Sequence, residues 1–272
     1  MFAPARIPAV VLATAFSLSA IAACDDPKPA PEQATSALQA QAAASAKLQE
    51  ILAKQAAEKE QKQAEEPVAG ADIECAEGPN VDFHHPALEQ EVRRKLEKPE
   101  GKIAKSELAK IRSINLAKGE PVDYLDPCVF PHLTGVKDLF LGPGKLSDIS
   151  ILSKLQRLES LRAAMNRVTD ITPLSGLKNL DRLDLANTPI TDVSALASLT
   201  NLTELQLDGS QVSDISPLSN LKKLERLTLN RTRVKDVSPL RSITSLESVN
   251  VSGAPVDNPE SIARPGLKVI DE

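Results

Sequence analysis

A chain of 272 residues with 32 Lys and Arg against 37 Asp and Glu carries a formal charge of −5, with no Trp and one Tyr. Nucleic-acid binding by phosphate contact and aromatic stacking needs a basic stripe and ring side chains, and the sequence offers neither. No G-x-S-x-G, H-E-x-x-H or phosphate-loop motif occurs, so no catalytic residue, metal ligand or cofactor is assigned.

Residues 1–23 hold one charge, Arg6, and an apolar run from Ala9 to Ala23. That run spans about 22 Å as a helix, short of the roughly 30 Å hydrocarbon core. It therefore reads as a secretory signal that is removed on export. Ile21-Ala22-Ala23-Cys24 resembles a bacterial lipobox, which implies that Cys24 becomes lipid-modified and ties the chain to a membrane. An ordinary signal that happens to end in Cys is the alternative. The expected location is the cell envelope, on the periplasmic or extracellular face of a membrane. Asp25 resembles the inner-membrane retention signal of enteric bacteria, although other lineages sort differently.

Residues 24–33 are proline-rich and polar, hence an extended linker. Residues 34–66 are built from Ala, Gln, Glu and Lys without Gly or Pro, which predicts a helical stalk about 50 Å long. Its apolar marks, Leu38, Leu48, Ile51 and Leu52, sustain no heptad, which gives a coiled-coil oligomer of the stalk poor support. The headpiece beyond it is expected to be monomeric. Residues 67–80 form a hinge.

Residues 81–132 read as an amino-terminal cap with an irregular first coil. Pro86 suits a first helical position, Leu88, Val92 and Leu96 share a helix face, and Pro99-Glu-Gly is expected to stop that helix. A second helix after Lys105 would bury Leu108 and Ile111. With Cys24 assigned to lipid, Cys75 and Cys128 remain as an even pair in an oxidising compartment, which predicts a disulfide. His84, His85 and His132 lie in or near the cap. Adjacent histidines do not point together on a strand or helix, so these are expected to pack or face solvent, with His84 beside Asp82.

From residue 133 to 272 the apolar positions return every 22 residues. The columns run Leu139, Leu161, Leu183, Leu205, Leu227, Val249; then Leu141, Ala163, Leu185, Leu207, Leu229, Val251; then Leu146, Val168, Ile190, Val212, Val234, Val256. Such registered self-similarity means a solenoid, whose coils bury their apolar edges only by stacking. The unit fits Leu-x-x-Leu-x-Leu-x-x-Asn-x-Leu and resembles the leucine-rich repeats, with the constant length and VSDISPLSNL segment of the internalin type. The resemblance implies an α/β solenoid with short parallel strands on the concave face, 3₁₀-like turns on the convex face and a helical amino-terminal cap. Pro217 beside Ile215 and Leu218 suits one tight turn. The final GLKVI is expected to add a strand as a short carboxy-terminal cap.

At the repeat's Asn position stand Gly144, Asn166, Thr188, Ser210, Thr232 and Ala254. Thr and Ser can replace Asn in bonding the bent backbone; Gly144 and Ala254 cannot, and their coils are expected to be looser or hydrated. The column Asp148, Asp170, Asp192, Asp214 and Asp236 is read as turn capping in preference to calcium binding, since no second acidic column accompanies it.

Strand positions beside the buried leucines face outward, and family members usually bind ligands there. The candidate ligand-binding residues are Asp138, Phe140, Arg162, Arg182, Asp184, Glu204, Gln206, Arg226, Thr228 and Asn250, with Ser160, Asp208, Asn230 and Ser248 on the same face. Arg182, Glu204 and Arg226 are successive in one column and Arg162 precedes Asp184 in the next, so neighbouring coils set opposite charges about 5 Å apart. The sequence supports a non-enzymatic, membrane-anchored protein that presents a concave surface to another protein. A structural spacer or cell-wall scaffold is the second reading.

Overall fold

On all but the last of the three-residue strands that build the molecule, a buried apolar residue, usually leucine, stands at the centre and a second just past the end. The computed structural model describes residues 73–118 and 121–271; the signal segment, Cys24, the linker, the stalk and residues 67–72 lie outside them. Eight strands form one parallel sheet in chain order: β1 (Ser113–Asn115), β2 (Asp138–Phe140), β3 (Ser160–Arg162), β4 (Arg182–Asp184), β5 (Glu204–Gln206), β6 (Arg226–Thr228), β7 (Ser248–Asn250) and β8 (Lys268–Ile270). The register matches the 22-residue period, pairing Leu139 with Leu161, Leu161 with Leu183, Leu183 with Leu205 and Leu205 with Leu227.

Stacking buries what a single coil cannot. Every member of the first two apolar columns is at most 5% exposed, and the third is fully buried from Leu146 to Val234, with Val256 only partly covered in the last coil. Each return segment is a single 3₁₀ turn, such as Ser216–Asn220, whose Leu218 points into the core. Removing one such leucine leaves a cavity between coils, at a cost of about 2–5 kcal/mol.

The cap closes the first coil. Helix α1 (Pro86–Leu96) buries Leu88 and Val92, and the one-turn α2 (Lys105–Leu108) buries Leu108, with Ile111 behind it. Helix α1 stops two residues before Pro99, at Glu97, which adopts a left-handed conformation (φ 51°) while the Lys98 N–H bonds back to the Arg93 carbonyl. The opening coil is more regular than its sequence suggests. Ile114 is fully buried on β1, which pairs in register with β2. Cys75 and Cys128 form a disulfide that fastens the segment before α1 to the opening coil.

The Asn-position column departs from expectation at three places. Asn166 behaves as the repeat requires, donating to the Gly142, Ala163 and Ala164 carbonyls and accepting from the Leu146 N–H. Thr188 and Thr232 donate to the Leu185 and Leu229 carbonyls. Ser210 does not: its hydroxyl is buried without a partner. Gly144 marks a close approach, not looseness, because a Cβ there would stand 2.5 Å from the Val122 carbonyl oxygen of the opening coil. Ala254 closes its turn through the backbone, N–H to the Val251 carbonyl at 2.9 Å, and packs partly buried against the core.

One column went unread in the sequence. Met165, Asn187, Gly209, Arg231 and Gly253, again 22 residues apart, all have positive φ between 55° and 71°. The chain leaves each of β3 to β7 through a left-handed residue, for which Gly and Asn are suited and Met and Arg are not. Met165 is also the exposed large apolar side chain of the described residues.

Candidate functional site

The residues named for the concave face do line one surface, because alternate strand positions point away from the buried leucines. Arg162, Arg182 and Arg226 are exposed, while Asp138, Phe140, Asp184, Glu204, Gln206, Thr228 and Asn250 are half-buried. Ser160 is the exception. Between Asp138 and Arg182 in the sheet, this short side chain is 5% exposed and offers nothing to a ligand.

The charges pair less fully than their columns suggest. Arg226 does meet Glu204, at 3.1 Å, and Gln206 donates to the same carboxylate at 2.8 Å. Partial burial pushes the Glu204 carboxyl up, but the bonds from Gln206 and Arg226 outweigh it and hold the group below the ordinary carboxylate range. Arg182 turns instead to its sequence neighbour Asp181, at 3.4 Å. Arg162 forms no ion pair with Asp184 among the described residues. Its guanidinium lies over the Phe140 ring, 5.3 Å from the centroid, while Asp184 accepts the Ala186 N–H.

A shallow depression with Leu161 and Leu183 at its floor is bordered by Arg162, Arg182, Asp184, Glu204 and Gln206. Its roughly 10 Å³ of free space is far below the several hundred Å³ of a small-molecule pocket. The surface suits the tip of a partner's side chain. Beyond the strands, Asp208 accepts from the Thr228 hydroxyl and the Asn230 N–H, and Asn230 accepts from the Ser252 N–H. This polar zipper commits Asp208, Thr228 and Asn230 to the fold. Its signal was present, since Asp208, Asn230 and Ser252 are polar at the same spacing.

The acidic column on the convex side caps turns. The amides of Ser150, Thr172, Ser194, Ser216 and Ser238 each donate to the aspartate two residues before, at 2.7–2.8 Å. In the cap, His84 and His85 diverge, one exposed and one buried. His84 stands by Asp126 and not Asp82: its backbone N–H donates to the Asp126 carboxylate at 2.8 Å, and its ring Nδ1 lies 3.8 Å away. Cys128 is the third potential metal ligand in this cluster, but its sulfur is engaged in the disulfide, which leaves too few ligands for zinc.

Residues 178–220 match the family model described as leucine rich repeats (2 copies). Among curated proteins none matches the sequence. Of solved structures, an internalin C2 from Listeria monocytogenes is similar over 74% of this chain and 100% of its own, at 27% identity and a TM-score of 0.61. An internalin (inlF) from the same organism is similar over 69% of this chain and 63% of its own, at 29% identity and a TM-score of 0.54. Repeat period, sheet register and these likenesses together make the described part of the chain a leucine-rich-repeat solenoid with the architecture of internalins.

Proposed function

We propose that the chain is an exported, lipid-anchored, non-enzymatic binding protein of the bacterial cell envelope whose concave sheet docks a protein partner. The observation that carries this reading is the pair Phe140 and Arg162. The ring and guanidinium are stacked on the sheet face beside Arg182, and the arginine's charge is left unneutralised by Asp184. Stacked aromatic and arginine side chains are the residue types that dominate protein–protein hot spots. Export rests on the signal-like start and on the disulfide, a bond that persists in oxidising compartments. Anchoring rests on the lipobox-like sequence ending at Cys24.

Crosslinking capture from the native envelope tests the surface, using the full chain beside a variant with Phe140→Ala, Arg162→Glu and Arg182→Glu. A partner captured by the first and lost by the second, with identical thermal melts, supports the concave site; equal capture by both removes it. Labelling cells with a palmitate analogue tests the anchor, since label must enter the wild-type chain and not a Cys24→Ala variant. A spacer role is the second reading, favoured by the self-paired Arg226 and Glu204. Deletion of residues 34–66 separates the two, because a spacer fails when shortened and a recognition module does not.

A further inference from the structure

Charge is distributed unevenly along the solenoid. The coil spanning residues 222–243 holds seven basic and two acidic side chains. The coil before it, 200–221, holds three acids and no base, and the coil after it, 244–265, three acids and one base. Four of the seven bases are engaged, three by neighbouring coils and Lys222 within its own. Arg226 meets Glu204, Lys223 donates to Asn201, and Lys222 and Arg241 donate to the Ser242 and Ser261 carbonyls.

Arg231, Arg233 and Lys235 are left over, and they share one face. All three are exposed on the flank that leads from β6 to the outer turn, while Thr232 and Val234 between them are buried. None makes a side-chain hydrogen bond or ion pair among the described residues. Beside them on the preceding coil lie the small or neutral Gly209, Gln211 and Ser213, so the ridge is open to a ligand. On the following coil the Asp257 N–H bonds to the Lys235 carbonyl, at 3.1 Å, yet its carboxylate forms no ion pair with Lys235. Arg231 keeps a long side chain at a left-handed position that the coils on either side give to glycine.

The spacing indicates what fits. Exposed Arg231, Arg233 and Lys235 alternate with buried Thr232 and Val234, and an extended peptide likewise presents every second side chain on one side, about 6.5–7 Å apart. Guanidinium forks match carboxylates bidentately. We propose that Arg231, Arg233 and Lys235 form a docking ridge for an extended acidic segment of a partner protein, one with carboxylates on alternate residues. The ridge is separate from the concave face and stands or falls independently of it.

The test is a fluorescence-anisotropy titration of the full chain with two labelled peptides of equal composition, one alternating Glu with Thr, the other with its glutamates in one block. The alternating peptide is expected to bind several-fold more tightly, with affinity that falls as salt rises. Arg233→Glu combined with Lys235→Glu should weaken it about tenfold or more. Arg231→Gly, which suits the local backbone and keeps the fold, should also weaken it. Lys222→Glu combined with Lys223→Glu, which lie ahead of β6 in the same coil, should change it less than about twofold. Absence of binding, equal affinity for the two peptides, or equal loss in both double variants would overturn the ridge. So would binding to phosphatidylglycerol vesicles in preference to the alternating peptide.

Discussion

The guanidinium of Arg162 stands 5.3 Å from the centroid of the Phe140 ring, held there by the register that pairs these two residues across β2 and β3. A cation over an aromatic face at a solvent-exposed site contributes about 0.5–1 kcal/mol. A double-mutant cycle with Phe140→Leu and Arg162→Met is expected to return a coupling of that size in urea unfolding. Zero coupling would mean that the two side chains share a surface without stabilising one another. The same variants should weaken partner capture more than either stability change accounts for.

The Asn-position column gives a contrast between similar hydroxyls. Thr188 and Thr232 are buried and bonded to the Leu185 and Leu229 carbonyls at 2.6 and 2.7 Å, whereas the Ser210 hydroxyl is buried and unpartnered. Thr188→Ala is expected to cost about 1–2 kcal/mol, because the buried Leu185 carbonyl loses its hydroxyl donor, and Thr232→Ala less, because the Leu229 carbonyl keeps the Thr232 N–H at 3.3 Å. Ser210→Ala should be neutral or stabilising, since it removes a desolvated hydroxyl that gains nothing. Denaturant midpoints rank the three, and a loss at Ser210 equal to that at Thr188 would show that its hydroxyl is bonded in solution.

Legibility of the fold followed the chemistry of each position. Leucine columns could be read because a repeating coil must place identical apolar groups at identical heights, and strand register follows from that alone. Gly144 could not, because its neighbour is the Val122 backbone of the opening coil, whose sequence lies outside the 22-residue period. Ladder pairing was legible in register but not in outcome. Arg182 can reach either Glu204 or Asp181, and the choice depends on side-chain conformation, which a column of letters does not encode. Ser160 was placed on the right face yet lost to a ligand through the size of its neighbours.

Met165 occupies a left-handed position (φ 57°) with its side chain exposed, so it spends conformational energy without evident packing in return. A left-handed L-residue costs roughly 1–2 kcal/mol, part of which glycine gives back through its looser unfolded chain. Met165→Gly is expected to raise stability by about 0.5–1 kcal/mol, read as a higher urea midpoint at unchanged slope. A decrease would show that the methionine packs against something in solution.

The disulfide joins residues 53 apart and fastens the segment that leads into the cap. That segment is otherwise held by a few backbone bonds, Val81 to Ile103 and Lys105 to Pro79 among them. In the chain-entropy limit a loop of this length contributes about 4 kcal/mol. Reduction, or Cys75→Ser, should therefore loosen the cap first. Amide exchange is expected to accelerate in α1 and β1 while β4 to β6 stay protected, as coupling between nearest neighbours predicts. Uniform acceleration along the sheet would show that cap and repeats unfold as one unit.

Acid should act mainly on the convex side. The hydroxyls and then the amides of Thr172, Ser194 and Ser216 hold Asp170, Asp192 and Asp214 below the ordinary carboxylate range; at Asp236 the Ser238 amide leads and its hydroxyl follows. Burial opposes the shift at each, the Asp214 charge opposes it too at Asp192 and Asp236, and Arg241 helps to lower Asp236. A folded-state pKa below the unfolded value means that the folded chain binds fewer protons. The stabilisation is therefore complete above about pH 4 and is lost as pH falls through the lowered values. Thermal melts should stay level from neutral pH down to that point and then fall. Replacing all four by Asn keeps an acceptor at each turn but removes the titration, so the variant should melt lower at neutral pH and show a flatter acid limb. An unchanged acid slope would move the titrating groups elsewhere, with Glu204, held low by Gln206 and Arg226, next to be tested.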